Sequence, residues 1–260
     1  MTAPGLVDSH CHLQHYRGGE LAAVLDRARA RGVEGFLVPA SRLEEAEDLL
    51  ALAEREPGVW CALGVHPHEA STWRPGYGER LAALLAHPRA VAVGECGLDF
   101  FYHHAPREVQ EAVFRAQCEI AIELGLPVVV HNRESNERML EIVAEPALAG
   151  LAADFHSFAG GREMAAPLLA RPFAFGISGM VTFPKADNVR EVLPLLAPEQ
   201  LLVETDTPYL APVPYRGKRN EPAYVVEVAA RVASELGLGA AEIARRTTAN
   251  FFRFFAKARA

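Results

Sequence analysis

The sequence predicts an α/β protein of the (β/α)8 TIM-barrel class, one domain with an extra C-terminal helix, and three observations carry that prediction. Eight short β-rich runs alternate with longer amphipathic runs. Most of the eight are near-continuous apolar segments, as parallel strands buried on both faces should be. The chain is 260 residues long, and one such barrel takes about 250.

In chain order the strand-like runs are Leu6 to His12, Val33 to Pro39, Val59 to Val65, Ala90 to Cys96, Pro127 to His131, Ala152 to His156, Phe173 to Ser178 and Leu201 to Asp206. Helical periodicity is clearest over Glu108 to Leu124 and Asp187 to Leu196. Gly125, followed by Pro127, closes the first of these, because glycine tolerates positive φ and proline lacks a donor. Asn220 ahead of Glu221-Pro222 reads as an N-cap opening the eighth helix, with Gly237 ending it. A last amphipathic run, Ala240 to Lys257, is expected outside the barrel. No composition break divides the chain, so residues 1–260 read as a single domain.

Half of the residues (50%) are hydrophobic, enough for a large core. The longest apolar stretches, such as Leu126 to Val130 and Leu201 to Val203, fall far short of the ~18 residues a bilayer requires. The N-terminus lacks a basic, apolar leader. A soluble, cytoplasmic monomer with no membrane partner is the expectation. The 4 cysteines (Cys11, Cys61, Cys96, Cys118) form no C-x-x-C pair, and three sit in strand-like runs, which points to free buried thiols in a reducing compartment. A net charge of −7 argues against a surface built for nonspecific polyanion binding. Any nucleic acid must therefore be gripped locally.

The chemistry gathers at the strand ends. Asp8-Ser9-His10-Cys11-His12 ends the first run, and period-two alternation puts His10 and His12 on one face, where two imidazoles can chelate one ion. Glu95 ends the fourth run, His131 the fifth, His156 the sixth and Asp206 the eighth, each where a polar residue follows an apolar strand. That is the face on which barrel enzymes place catalytic groups. One ion rarely takes six protein ligands and still leaves room for substrate, whereas two divalent ions sharing a carboxylate use them naturally. Glu95 is the candidate bridging ligand, and Asp206 the candidate to bind one ion and accept a proton from the attacking water. Two divalent cations against Glu95, Asp206 and one hydroxide leave about +1, a field that favours a phosphate. Histidine and carboxylate donors suit zinc, manganese or magnesium.

Seven segments in this order, D-S-H-C-H-L from Asp8, G-V-H-P-H from Gly64, G-E-C-G-L-D-F from Gly94, L-P-V-V-V-H-N-R from Leu126, H-S-F-A-G from His156, E-T-D-T-P-Y-L from Glu204 and R-G-K-R-N-E-P from Arg216, resemble the TatD family of metal-dependent deoxyribonucleases, among the amidohydrolase-like barrels. The late T-T-A-N-F-F from Thr247 also fits. The resemblance implies that His10, His12, Glu95, His131, His156 and Asp206 are the metal positions, the same set the strand ends supply. It implies phosphodiester hydrolysis of DNA, as a 3′ to 5′ exonuclease on single strands. Two segments depart from the family's common form: G-E-C-G carries cysteine where isoleucine is usual, and H-S-F-A-G stands where H-C-F-S-G is frequent. Neither departure touches a ligand.

Around these positions, His66 reads as substrate-binding, from the loop after the third strand, with His68 a weaker candidate. Arg133 is placed to clamp a phosphate, against the bland reading of a helix-facing salt bridge. Arg216, Lys218 and Arg219 cluster after the eighth strand, where barrels often bind phosphate, and are expected to hold a nucleic-acid backbone. Glu204 reads as a carboxylate steadying a ligand, and Asp99 is ambiguous. Phe101, Tyr102 and Trp73 either stack a base or pin their loops. His15, His87, His103 and His104 read as surface residues. Against the nuclease stand a hydrolase of another ester or amide, such as a D-aminoacyl-tRNA deacylase, and a catalytically inert scaffold. The scaffold is disfavoured because nothing in folding requires six costly polar groups gathered together. A lysine-carbamate bridge is disfavoured because Glu95 holds the fourth-strand position.

Overall fold

A computed structural model describes residues 5–259 of the chain. Its strands are β1 (Leu6–Asp8), β2 (Val33–Pro39), β3 (Val59–Leu63), β4 (Ala90–Asp99), β5 (Val128–Arg133), β6 (Ala153–Phe155), β7 (Phe173–Ile177) and β8 (Leu201–Val203). They join one parallel sheet whose order is the chain order, with helices between successive strands. This is the (β/α)8 TIM barrel that the alternating pattern predicts. The helices are α1 (Gly19–Ala30), α2 (Ala46–Arg55), α3 (Tyr77–Leu85), α4 (Arg107–Leu124), α5 (Asn136–Val143), α6 (Gly161–Leu168), α7 (Asp187–Arg190), α8 (Val225–Leu236) and α9 (Ala240–Phe254).

By contacts the chain divides into two compact units. Unit one runs to Val38 and resumes over His156–Leu169 and Ala174–Phe254. Its core sets Phe36, Phe175 and Val203 with Val228, Ile243 and Phe251 among the buried residues. There α9 packs on β1, β8 and α8. Asn250 Nδ2 donates to the carbonyls of Pro198 and Leu201, and Thr248 Oγ1 to that of Gly5, so this helix braces the beginnings of β1 and β8 and leaves their ends clear. Unit two comprises Pro39–Phe155, Ala170–Phe173 and the chain from Phe255 onward. Its buried residues include Leu63, Val93, Phe114, Val129 and Phe155.

Five strands stop earlier than their apolar runs suggest: β1 at Asp8, β3 at Leu63, β6 at Phe155, β7 at Ile177 and β8 at Val203. Just beyond β6 and β8, Ser157 and Asp206 take positive φ (46° and 56°), which a strand cannot continue. By contrast β4 and β5 run past the expected ends and stay paired as far as Asp99 with Arg133. Gly97 permits this: a Cβ there would lie 2.0 Å from the His131 carbonyl oxygen.

Gly125 and Gly237 end α4 and α8 in the left-handed conformation, as expected (φ 63° and 65°). The run Asp187 to Leu196 is not one helix. It breaks into α7 and a separate 3-10 turn at Leu193–Leu195, since Pro194 offers no N–H and crowds the preceding turn. Asn220 does not open α8 either: its Nδ2 donates to the carbonyls of Thr205 (2.9 Å) and Tyr209 (2.5 Å), and α8 begins at Val225 after a 3-10 turn. All four thiols are free and buried, and burial pushes Cys61 up to about 12. Among the described residues no helix is long and apolar enough to cross a membrane.

Candidate metal centre

In unit one the site is built where β1 and β8 give out. Cys11 and Thr207 form a lone parallel bridge, the Asp206 amide donates to His10 O (2.9 Å), and the His12 amide donates to Thr207 O (2.9 Å). Asp8 fastens the two segments from below, accepting from the Thr205 amide (2.9 Å) and hydroxyl (2.6 Å). Burial pushes the Asp8 carboxyl well up, against the pull of those Thr205 bonds. The result brings His10 and His12 together with their Nε2 atoms 3.4 Å apart. The reason is this backbone lacing, rather than strand alternation, because both lie past the end of β1. Asp206 turns its carboxylate toward them, Oδ1 lying 3.8 Å from His10 Nε2 and 3.5 Å from His12 Nε2. Burial alone would raise that carboxyl, but the hydrogen bond from His12 and the field of His156, His10 and His12 outweigh it and hold it below the usual carboxylate range.

The ring of His156 stacks on His10, centroids 3.9 Å apart and 12° between planes. Fully buried Glu204 completes this cluster. Its Oε1 accepts from the Ser157 amide (2.7 Å) and lies 3.4 Å from His156 Nδ1. Its Oε2 has no hydrogen-bond donor among the described residues. Gly176 makes room for that oxygen, since a Cβ would meet it at 2.1 Å. A buried carboxylate oxygen without a donor costs about 1–3 kcal/mol or more, and a divalent cation removes the penalty. His10, His156 and Glu204 offer ligand atoms that all lie within 4.8 Å of one another, so the residues fit a metal ion.

Unit two carries a second cluster, on β4, β5 and the turn after β3. His131 Nδ1 lies 2.9 Å from Glu95 Oε1, and His66 Nε2 lies 3.6 Å from the same oxygen. His66, Glu95 and His131 again present ligand atoms within 4.8 Å. Behind them sits the buried Asp99 carboxylate, whose Oδ2 accepts from His131 Nε2 (3.1 Å) and His68 Nε2 (2.7 Å). Burial works against its ionisation, but the bonds from His131, the Tyr102 amide and His68 prevail, and its carboxyl is held far below the usual range. Carboxylates bonded behind ligand histidines fix ring orientation and raise basicity.

The model of the family described as TatD related DNase matches residues 7–256. The chain belongs to the TatD-related DNase family. It is 40% identical over 238 residues to a protein of Escherichia fergusonii named 3′-5′ ssDNA/RNA exonuclease TatD, covering 89% of this chain and 91% of that one. It is 35% identical over 251 residues to a protein of Bacillus subtilis named uncharacterized metal-dependent hydrolase YabD, covering 96% and 98%. Among solved structures, that of YJJV, a TatD homolog from Escherichia coli K12, superposes with a TM-score of 0.90 at 30% identity, over 98% of this chain and 99% of that one.

Within this family's motifs, the sequence-read positions fall into the two clusters: His10, His12, His156 and Asp206 in unit one, Glu95 and His131 in unit two. Two residues stand nearer the centres than the sequence suggests. His66, read as a substrate contact, joins Glu95 and His131 in a group able to hold a metal ion, and Glu204, read as a support, joins His10 and His156 in another. Asp8 and Thr205 escaped the sequence reading altogether, although Asp8 opens the quoted D-S-H-C-H segment. The basic positions divide. Lys218 is exposed. Arg216 lays its guanidinium over Phe183 (3.6 Å). Arg219 is engaged by Glu20 (2.6 Å), the His15 carbonyl (2.7 Å) and the Tyr16 ring. Arg133 lies over the rings of Phe101 (4.2 Å) and Tyr102 (4.8 Å). His15, His103 and His104 are exposed, and His87 is half-buried against Glu54.

Proposed function

We propose that this chain, read as one hydrolase unit, is a divalent-metal-dependent phosphodiesterase of DNA that removes nucleotides from single strands in the 3′ to 5′ direction. The observation that carries the reading is the pair of histidine–carboxylate clusters at the strand ends, each competent to chelate, in a chain 40% identical to a named ssDNA/RNA exonuclease. Each cluster takes one divalent ion, magnesium, manganese or zinc, giving two per chain. His10, His12, His156 and Asp206, with Glu204, hold the first; Glu95, His131 and His66 hold the second. A bound ion supplies Lewis acidity toward the phosphate and makes water more acidic. The chain's own groups do the rest. Asp206, whose Oδ1 faces His10 and His12, accepts the proton from the attacking water. Lys218 and Arg216 hold the sugar–phosphate backbone from the loop after β8, and the outer edge of Arg133 remains available to a phosphate. Arg219, already engaged by Glu20, orders that loop rather than gripping substrate. One chain supplies both clusters, so a monomer suffices, and its free buried thiols suit the cytosol.

The test is a metal-by-substrate screen over single-stranded DNA, RNA, aminoacyl-tRNA and a simple phosphodiester, with DNA labelled at either end and a closed circular control. Metal-dependent release of mononucleotides from the 3′ end, with circles spared, is the expected result. Release of amino acid from aminoacyl-tRNA without cleavage of any phosphodiester would overturn it.

A further inference from the structure

Beyond the metal clusters, the loop after β4 holds two large apolar rings in solvent: Phe101 is 51% exposed and Tyr102 42%. Its backbone is nevertheless tightly held. The amides of Phe101 and Tyr102 both donate to Asp99 Oδ1 (3.0 and 2.9 Å). Gln110 closes the base of the loop, its Oε1 accepting from the Asp99 amide (2.8 Å) and its Nε2 donating to the carbonyls of Asp99 (3.0 Å) and Ala105 (2.9 Å). The two rings meet edge to face at 4.8 Å and 89°, and the Arg133 guanidinium lies over both. Aromatic residues that merely pin a loop turn their faces into the protein. Here a fixed backbone keeps them in water, where an apolar surface is explained by a partner that covers it.

The position of the rings narrows that partner. The carboxylate whose Oδ1 fixes the loop uses Oδ2 to hold His68 and His131, so Asp99 sets the distance between the rings and the histidine cluster. The ring of Tyr102 stands 5.4 Å from that of His68. We propose that Phe101, Tyr102 and Arg133 form a stacking subsite for a nucleobase of single-stranded nucleic acid, the base attached to the nucleotide at the metal cluster. This rests on the nuclease reading above. A ring face turned away from the covering guanidinium accepts any base, because every base has a π-face. It accepts an unpaired terminal base far more readily than one stacked within a duplex, whose faces are covered by its neighbours. The subsite thereby gives a physical cause for a single-strand preference without sequence preference.

The experiment measures equilibrium binding of a fluorescent single-stranded oligonucleotide to the metal-free full chain, and then KM on the metal-loaded enzyme. Replacing Phe101 and Tyr102 together by alanine raises Kd and KM about tenfold, with the change in turnover carried by KM rather than kcat. Y102F restores most of the affinity, because the face and not the hydroxyl binds. A 3′-terminal abasic nucleotide weakens binding to the wild type about tenfold and leaves the double variant unchanged. Equal abasic penalties in wild type and variant, or an unchanged Kd in the variant, would overturn the subsite. If the wild type binds single strands with this base dependence yet cleaves no phosphodiester under any metal, the nuclease reading fails and the subsite stands. If it cleaves normally with no base dependence, the subsite alone fails.

Discussion

The two histidine clusters share a donor set but differ in how they are enclosed. The side chains of His10, His12 and His156 are 0%, 9% and 6% exposed, whereas those of His66, His68 and His131 keep 12%, 27% and 16%. The first is laced together by backbone hydrogen bonds, with Glu204 wholly buried beside it. The second hangs between two strands and a turn, backed by one carboxylate. A closed surround limits solvent access to a bound ion, so on the two-ion reading the first cluster should hold its ion more tightly than the second.

The largest effects follow from removing ligands. Glu95→Ala and His131→Ala in the open cluster, and His156→Ala in the closed one, should each abolish DNA hydrolysis, losing well over the ~10–100-fold that an outer carboxylate costs, with melting temperatures near wild type because stability lies in the core and at the opposite strand ends. Near-normal turnover in any of the three would remove that residue from the metal assignment. A finer comparison sets Glu204→Gln against Asp99→Asn. By calorimetric titration the first should weaken the tighter of two metal-binding events, and the second the looser, each by about 10–100-fold. If both changes fell on the same event, the division of the site into a tighter and a looser cluster would be wrong.

On the nuclease reading, substrate grip should separate the same two regions. Beside the closed cluster lies the basic loop, and beside the open one the aromatic loop. Lys218→Ala should reduce the slope of log K against log salt by about 0.7 for a single strand, the share of one phosphate contact. Phe101 and Tyr102 carry no charge, so their replacement should leave the slope unaltered while weakening binding. Arg219→Ala is expected to act through the order of its loop, since Glu20 already neutralises it. A fall in salt slope equal to that of Lys218→Ala would show that Arg219 does face phosphate.

How far the sequence exposed these features depends on the range of the interaction behind each. Alternating apolar runs and glycine stops are local, and they located the strands and the ends of α4 and α8. What lies outside local pattern was not legible. Asp8 matters because Thr205, nearly two hundred positions on, folds against it. The joining of His66 to Glu95 and His131 depends on how the turn after β3 folds over β4, and no periodicity encodes that. Asn220 failed as a cap because a tertiary demand for its amide, from Thr205 and Tyr209, outcompeted the helix end. Asp187 to Leu196 failed as a helix because apolar periodicity outweighed a proline that local sterics do not forgive.

The smallest expected effect concerns what holds the closed region to its basic loop. Tyr16 is buried; its hydroxyl donates to the Asn220 carbonyl and accepts from Thr207 Oγ1 at 2.7 Å, tying the turn after β1 to the segments on either side of that loop. Burial pushes the phenol up to about 12, the Thr207 bond and the charge of Arg219 offsetting only part of the rise. An acid whose folded pKa exceeds the unfolded value of about 10 keeps its proton more firmly when folded. The stability it contributes is therefore complete below pH 10 and drains away as pH climbs toward 12. Tyr16→Phe should cost about 1–2 kcal/mol at pH 8, the worth of the lost bonds and of the acceptor left buried. Because phenylalanine does not titrate, the gap between variant and wild type should narrow steadily from pH 10 to pH 12. Urea unfolding at pH 8, 10 and 11.5 reads this directly. A gap of constant size across that range would mean that the phenol titrates alike in the folded and unfolded chains, and would overturn the upward shift.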